Sequence, residues 1–234
     1  HANSLNCLDV DRIGQNFAIV GGSDGKISLF DLRSGFKNTF RSRCRIEKLK
    51  LSGRGTHSSS VSSVQWFPLD CGAFASSSYD ASVKFWDAEN FIPVVDFKFQ
   101  GYVSCSRIHG AGRLIACGVD GNESRLCDLR TGGSTHVFTA HRRNVTSIDF
   151  CPSHPHIMAT ASLDKSIKIF DIRKGSSKGV LLCLDWRSGG AARREDAGVA
   201  HDSGALSLKF KPCGTVLVSA GADGCVRAWD PATG

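Results

Sequence analysis

The sequence has little of what several structural classes require. It holds one methionine against 25 glycines, which argues against a helical bundle and for a protein of strands and turns. No run of 18 apolar residues occurs, so neither a membrane-spanning helix nor a membrane partner is expected. No apolar signal-peptide segment precedes the first repeating unit. A Gly-rich phosphate loop, an HExxH motif and an acid pair at glycosidase spacing are also missing, so we expect no enzyme and no cofactor.

Cysteine is plentiful, but its placement does not favour a disulfide framework. None of the ten cysteines forms a CxxC pair. Cys7 and Cys117 fall in predicted strands, and Cys71 and Cys213 in predicted turns, where other repeats carry aliphatic or small residues. We therefore expect reduced, buried thiols in a cytoplasmic or nuclear protein.

The net charge is positive but dispersed. Lysine and arginine number 29 against 22 aspartates and glutamates, which gives +7. This charge could attract an acidic partner, yet no alternation of aromatic and basic residues marks a surface on which bases could stack. Direct nucleic-acid binding is therefore not expected, although a steep loss of DNA affinity with rising salt would revive it.

Pairs of aspartates recur along the chain at a fixed spacing. The members of a pair lie seven residues apart, or eight in the third pair, and apolar residues alternate with polar ones between them. Such alternation predicts a strand with one buried face, as at Ile167/Ile169 and Val226/Ala228. The pairs are Asp24 and Asp31, Asp80 and Asp87, Asp120 and Asp128, Asp164 and Asp171, and Asp223 and Asp230.

Four histidines stand upstream of these pairs on an equally regular grid. His1, His57 and His141 each lie 23 residues before the first aspartate of a pair, and His201 lies 22 before Asp223. Apolar residues follow each histidine by four, seven and nine positions, and a proline follows three of them by eleven. Each unit is therefore predicted to hold two strands, an aspartate turn, and two further strands.

Four strands in a repeat of roughly 40–45 residues are typical of β-propeller blades. Successive strand-ending aspartates lie 41 and 43 residues apart in the regular units and 56 and 59 elsewhere, which implies two insertions. We predict an all-β propeller with five visible blades ending near residues 40, 99, 139, 186 and 234, and insertions at 41–58 and 187–199. Both insertions are basic. A solvated loop is the favoured interpretation, and contact with nucleic acid or an acidic peptide stays open.

Histidine, serine and aspartate recur together and resemble a hydrolase triad. A nucleophilic site does not recur once per repeat, and the serine lies in an apolar strand rather than at a G-x-S-x-G elbow. We expect buried structural tetrads instead, in which the aspartate accepts from the imidazole, the imidazole from the hydroxyl, and the hydroxyl lies near a tryptophan indole. The members are His57, Ser76, Asp80 and Trp86; His141, Thr160 and Asp164; and His201, Ser219, Asp223 and Trp229.

A second cluster suggests a metal. Cys151, His154 and His156 are ligand-type residues within six positions and could hold zinc. The same turn carries no such cluster in the neighbouring units. A turn with incidental histidines is the favoured interpretation, and no metal site is predicted.

The units resemble WD40 repeats in their Ser/Thr-rich second strands and aromatic-Asp endings, and the resemblance covers nearly the whole chain. Several details resemble the Cockayne syndrome A-type members of that family. They include Gly21–Gly25 at the entry to the first blade, Val64–Pro68 in the second, and Cys127 in place of the third blade's tryptophan. The resemblance implies seven blades and an N-terminal helical segment, so this chain would be a five-blade fragment.

This resemblance implies a non-catalytic substrate receptor of a cullin-4 RING ubiquitin ligase, acting in transcription-coupled nucleotide excision repair in the nucleus. Its partners would be the damaged-DNA-binding protein 1 adaptor, the ligase, and repair and transcription proteins. The family's docking box ends in W-D-x-R, and here the best match ends at Arg173, with Phe170 in place of tryptophan. Arg173 is the implied docking residue, with Asp171 beside it and Arg130 and Arg33 at equivalent places. The blade pattern alone also fits another scaffold, one that binds histones or assembles ribonucleoprotein.

Overall fold

The computed structural model describes residues 4–33, 42–46, 56–175, 179–187, 190–192 and 198–233. The regular structure in these segments is β-strand, joined by turns and bends. No helix among these residues is long and apolar enough to cross a membrane. The strands form five sheets in which chain neighbours pair with each other, so the predicted all-β fold with five propeller blades is confirmed.

Each sheet is one blade, and the blades follow chain order. The first holds β1 (Leu5–Val10), β2 (Phe17–Gly22), β3 (Ile27–Asp31) and β4 (Ser42–Ile46); the second holds β5 (Val61–Trp66), β6 (Ala73–Ser78), β7 (Ser82–Asp87) and β8 (Ile92–Lys98). The third holds β9 (Val103–Ile108), β10 (Leu114–Val119), β11 (Glu123–Asp128) and β12 (Gly133–Phe138). The fourth holds β13 (Val145–Phe150), β14 (Ile157–Ser162), β15 (Ile167–Asp171), β16 (Val180–Asp185) and β17 (Gly190–Ala192); the fifth holds β18 (Ala205–Phe210), β19 (Leu217–Gly221) and β20 (Val226–Trp229).

The two predicted insertions contain strands that the sequence reasoning missed. β4 lies inside 41–58 and pairs antiparallel with β3, so the first blade extends beyond residue 40. β17 lies inside 187–199 and pairs with β16 as a fifth strand, so this segment is not only a loop. Both strands pair with the exposed edge of the strand before them, and strands of five and three residues are too short to be recognised by periodicity. Apart from residues 56–58, 187 and 198–199, which are described and lie outside the strands, the remaining positions of the two insertions lie outside the described residues.

The chain forms two compact units, His1–Ile115 with Asp128–Gly133 and Ala116–Cys127 with Ser134–Gly234. In the first unit β1 and β2 pack against β5, and β5 and β6 pack against β9. Its core includes Phe74 and Trp86, whose rings stack at 5.9 Å between centroids. In the second unit β13 and β14 pack against β18, around buried residues such as Ile167 and Leu217.

The predicted buried face is present in β15 and absent in β20. Ile167 and Ile169 are 0% and 1% exposed, as the alternating pattern predicts. Val226 is 71% exposed and Ala228 is also exposed, so the prediction is wrong for the last strand. The reason is that no other described residues cover that face of the fifth blade. Leu5 and Leu8 in β1 are likewise exposed.

Cysteine burial follows the strand and turn assignment rather than the general expectation. The nine cysteines whose side chains the structure describes are all free thiols. Cys105, Cys117, Cys127, Cys151 and Cys183 are buried, and Cys7 is half-buried. The expectation of buried thiols is wrong for Cys71, Cys213 and Cys225, which lie in turns outside the strands and are exposed.

A repeated hydrogen bond links the first strand of one blade to the first strand of the next. Asp9 Oδ2 accepts from the Trp66 N–H at 2.8 Å, and Gln65 Oε1 accepts from the Ile108 N–H at 2.7 Å. In the second unit Asp149 Oδ2 accepts from the Phe210 N–H at 2.9 Å. We call these contacts the strand links. They pair backbone donors that the strand ladders leave open, so each one fixes the register between two blades.

The strand links generate a stability prediction. Asp149→Ala leaves the buried Phe210 N–H without its acceptor, which costs about 1–3 kcal/mol. The melting temperature should fall by roughly 2–4 °C for each kcal/mol lost in a chain of this size. Asp149→Asn keeps an acceptor oxygen and should lose much less. Thermal unfolding by circular dichroism measures both, and equal melting temperatures for Asp149→Ala and the wild type would contradict the link.

Candidate functional site

The second blade brings all four members of its predicted tetrad together. His57 lies in the turn before β5, and its Nδ1 is 2.9 Å from Asp80 Oδ2. Its Nε2 is 2.7 Å from Ser76 Oγ, which also accepts from the Trp86 indole N–H at 2.8 Å. Because an ionised carboxylate only accepts, Nδ1 carries the proton and Nε2 accepts from the hydroxyl. The chain of bonds joins two turns to two strands of one blade.

The fourth and fifth blades repeat the arrangement. His141 contacts Asp164 at 3.1 Å and Thr160 at 2.7 Å. His201 contacts Asp223 at 3.1 Å and Ser219 at 2.8 Å, and the Trp229 indole N–H donates to the same hydroxyl at 2.9 Å. The fourth blade has Phe170 in place of the indole, so its chain of bonds stops at the threonine.

The same distances would suit a Ser–His–Asp triad, but the surroundings do not. Ser76 and His57 are 0% and 1% exposed, so no substrate reaches the hydroxyl oxygen. That oxygen is already engaged by the indole N–H and the imidazole. A nucleophile needs an open approach to a reacting carbon and donors for the oxyanion. The arrangement can hold turns in place; it cannot attack a substrate.

Each of the three tetrad aspartates is held as a carboxylate. Burial opposes ionisation of Asp80, but hydrogen bonds from His57 and Ser82 outweigh it and hold the pKa of Asp80 well below its usual range. Asp164 shows the same balance with His141 and Ser166, so its pKa is also low. For Asp223 the opposing donors include Arg227 and the Cys225 N–H, and its pKa is lowered as well.

Sequence reasoning missed a further partner in each tetrad. Two residues after the turn aspartate, the Ser82 hydroxyl donates to Asp80 Oδ1 at 2.6 Å. Ser166 occupies the same place beside Asp164. The fifth blade has Cys225 there, and Arg227 Nη1 instead lies 2.7 Å from Asp223 Oδ2. A serine at this position in two repeats is the signal that could have revealed it.

The strand-ending aspartates form a second repeated arrangement, at the opposite ends of the strands. Asp171 Oδ1 accepts from the Arg173 backbone N–H at 3.0 Å and from its Nε–H at 2.9 Å, and Oδ2 accepts from Nη2 at 2.8 Å. Asp31 and Arg33 show the same three bonds, at 3.0, 3.0 and 2.7 Å. At Asp128 and Arg130 only the backbone bond, 2.7 Å long, forms within the described residues. We call the full arrangement the arginine clamp.

The arginine clamp exposes a guanidinium group whose charge is balanced by the carboxylate beside it. The Arg173 side chain is 67% exposed and the Asp171 side chain 5%. Hydrogen bonding by Arg173 lowers the pKa of Asp171 to about 2, so the pair stays ionised at neutral pH. Asp171 occupies Nε and Nη2, which leaves the Nη1 hydrogens free to donate elsewhere. The clamped guanidinium is held in one geometry before any partner arrives.

The cluster of Cys151, His154 and His156 lines a cavity of about 540 Å³ in the second unit. The Cys151 sulfur lies 4.0 Å from His154 Nδ1, and the same nitrogen lies 2.9 Å from Ser153 Oγ. The His154 and His156 rings are edge to face at 6.1 Å. No group of three ligand-type residues suited to a metal ion occurs in the part of the chain that the structure describes.

An aromatic and basic contact also escaped the sequence reasoning. The guanidinium carbons of Arg227 and Arg187 lie 5.0 Å and 5.7 Å from the centre of the Trp186 ring. Trp186 is 40% exposed. Arg227 is far from Trp186 in sequence, and only the approach of the fifth blade to the end of β16 brings them together.

Comparison with known families supports the blade assignment. The WD domain, G-beta repeat family matches residues 49–87, 132–171 and 197–230. These segments include the second, fourth and fifth aspartate pairs, whose blades carry the described tetrads.

Several curated proteins are similar to this chain. WD repeat-containing protein ATCSA-1 of Arabidopsis thaliana is 31% identical over 191 residues, 77% of this chain and 42% of that protein. DNA damage-binding protein CMR1 of Chaetomium globosum is 31% identical over 137 residues, 55% of this chain and 26% of that protein. Ribosome biogenesis protein WDR12 homolog of Chlamydomonas reinhardtii is 34% identical over 149 residues, 58% of this chain and 33% of that protein. The chain spans less than half the length of each.

The tetrads generate a mutational prediction with an internal control. Asp80→Ala removes the acceptor of the buried imidazole, and leaving such a donor unpaired costs about 1–3 kcal/mol. The melting temperature should fall by at least about 3 °C. Asp120→Ala makes the same substitution in the equivalent turn of the third blade, which has no histidine. This variant should change the melting temperature little. Calorimetry or circular dichroism measures both melting temperatures. Equal effects of the two substitutions would contradict the structural role of the tetrad.

The low pKa values generate a pH prediction. A carboxylate with a depressed pKa in the folded state stabilises the fold above its unfolded pKa, about 3.9, and this stabilisation is lost as the pH falls further. The wild type should therefore lose stability below about pH 4. Asp80→Asn, which cannot titrate there, should show a shallower decline in melting temperature. Parallel declines of the two proteins would contradict the assignment.

Proposed function

Because the chain is a WD40-repeat protein, we propose that it is a non-catalytic substrate receptor of a cullin-4 RING ubiquitin ligase. In this role it docks on the damaged-DNA-binding protein 1 adaptor and presents repair or transcription proteins to the ligase. It acts in transcription-coupled nucleotide excision repair, in the nucleus. Its blades supply surfaces for these partners.

The observation that carries this proposal is the arginine clamp at Asp171 and Arg173. The guanidinium is exposed, fixed by two side-chain bonds and paired with a carboxylate. A partner therefore meets a planar donor that loses little conformational freedom on binding. The charge of this donor is balanced by the carboxylate of Asp171. Such a group suits a packed protein interface better than loose attraction to a polyanion. The clamp at Arg33 offers a second contact of the same kind.

The replacement of tryptophan by Phe170 leaves the clamp in place. Phe170 is 1% exposed and packs edge to face on Phe138 at 5.2 Å. The apolar anchor beneath Asp171 is therefore kept, and only the indole donor to the tetrad is lost. Since Thr160 still bonds His141, the fourth blade holds Asp171 without it.

The relatives support the repair assignment in name. The likeness to ATCSA-1 agrees with the Cockayne syndrome A-type details in the sequence, and CMR1 is named as a DNA damage-binding protein. The likeness to the WDR12 homolog, named for ribosome biogenesis, favours a second candidate, a scaffold in ribonucleoprotein assembly. Both candidates place the chain in the nucleus and use it as a binding surface.

The proposal predicts the outcome of a pull-down from nuclear extract. The wild-type protein should recover the adaptor, and Arg173→Ala should reduce recovery about tenfold if Arg173 is an interface hot spot. Arg173→Lys should also fail, because an ammonium group cannot form the two-bond clamp. Arg142→Ala, an exposed arginine at the opposite end of the fourth blade's strands, is the matched control and should recover the adaptor normally.

Two outcomes would overturn the proposal. Undiminished adaptor recovery by Arg173→Ala would remove the docking role of the clamp. Recovery of ribosome-assembly factors or histones without the adaptor would replace the ligase role by the scaffold alternative.

A further inference from the structure

One lysine, Lys165, occupies a backbone conformation that three of the other four blades give to glycine. The residue after the turn aspartate has positive φ in each blade: 80° at Gly25, 64° at Ala81, 84° at Gly121, 75° at Lys165 and 75° at Gly224. This left-handed region is strained for a residue with a Cβ and free of strain for glycine. Three blades relieve the strain with glycine, whereas the fourth keeps a long cationic side chain there. The strain is retained at Ala81 and at Lys165, and of the two only Lys165 places a charged group in the turn, which suggests that its side chain has a use.

The same corner of the fourth blade carries two further cations. Arg142 and Arg143 follow His141 and are exposed. The second blade has Ser58 and Ser59 at these positions, and the fifth has Asp202 and Ser203. The positive charge is therefore a property of this blade and not of the repeat.

Hydrogen bonds fix the corner in place. The Arg142 N–H donates to Asp164 Oδ2 at 2.8 Å, and the Leu163 N–H donates to the Asn144 carbonyl at 3.0 Å. The fifth blade joins through the His201 N–H, which donates to the Lys165 carbonyl at 3.1 Å. The turns that carry the cations are thus braced by the tetrad and by the next blade.

The local charge is strongly unbalanced. Arg187 is 62% exposed and pairs with Asp202, the one well-exposed carboxylate that the structure describes in these turns. Asp164 and Asp223 have side chains only 8% exposed, and the tetrads already occupy them. Among the residues that the structure describes, Arg142, Arg143 and Lys165 form no ion pair. Leu163, 37% exposed, offers an apolar contact in the same turn as Lys165.

We propose that this surface, the basic corner of Arg142, Arg143, Lys165 and Arg187, binds an acidic segment of a partner protein, with an apolar side chain of that segment on Leu163. A protein segment is favoured over single-stranded nucleic acid because base stacking needs a free aromatic face. Trp186, the nearby exposed aromatic, already has two guanidinium groups over its ring. The basic corner lies where β15 begins and β16 ends, whereas Arg173 follows the other end of β15, so both surfaces can be occupied together.

Within the proposed ligase this surface would hold the protein to be ubiquitylated. This assignment of the bound protein rests on the proposed function, whereas the binding of an acidic segment does not. A variant of the basic corner that no longer binds the acidic segment but still recovers the adaptor would show that the two surfaces act independently.

The test measures the fluorescence anisotropy of a labelled peptide made of glutamates around one central leucine. The wild type should bind this peptide and should not bind the same peptide with its glutamates replaced by glutamines. Replacing Arg142 and Arg143 by serine, as in the second blade, should weaken binding about tenfold, since two exposed ionic contacts are lost. Lys165→Gly should weaken binding about threefold.

Lys165→Gly also separates function from folding. Because glycine relieves the strain, this variant should melt about 1–3 °C higher than the wild type while it binds less tightly. Ala81→Gly makes the same change in the second blade and should melt higher with unchanged peptide affinity.

Three results would overturn the proposal: peptide affinity unchanged in Lys165→Gly, no rise in its melting temperature, or tighter binding of an equally long oligothymidylate than of the peptide. The last result would assign the basic corner to nucleic acid. Adaptor recovery by the same variants, measured in parallel, should stay at the wild-type level.

Discussion

A buried or clamped carboxylate at each end of the third strand of a blade holds the turns on which the proposed contacts depend. In the fourth blade Asp164 precedes β15 and Asp171 ends it. Asp164 bonds the imidazole of His141 and the backbone of Arg142, and so shapes the basic corner. Asp171 bonds three N–H groups of Arg173, and so aims the guanidinium. One short strand therefore separates two surfaces that differ in charge.

The difference in charge distinguishes the two surfaces chemically. Arg173 has its own carboxylate and can meet a partner through planar hydrogen bonds and packing, with little dependence on salt. Arg142, Arg143 and Lys165 of the basic corner form no ion pair among the described residues, so their attraction for an acidic segment should fall as salt rises. Since the same fold hosts many functions, these local groups carry the functional argument, and the blade count does not.

Much of the fold could be predicted from spacing, because identical blades need identical turn chemistry. The aspartate and histidine grid located the tetrads, and His57 bonds both Ser76 and Asp80 as expected. The strand links were not predicted, because Asp9, Gln65 and Asp149 act on the backbone of a neighbouring blade and the residue type varies between aspartate and glutamine. The exposure of Val226 also depends on a neighbour, since alternation marks a face that can be buried without showing what covers it.

Hydrogen–deuterium exchange of the protein with and without the adaptor is the most direct measurement of how the two ends of β15 are used. Adaptor binding should slow exchange in the turn after Asp171 and in the equivalent turn after Asp31, and leave the turn at Lys165 unchanged. Protection confined to the Lys165 turn, or absent from the Asp171 turn, would contradict the division of the fourth blade into a docking end and a recognition end.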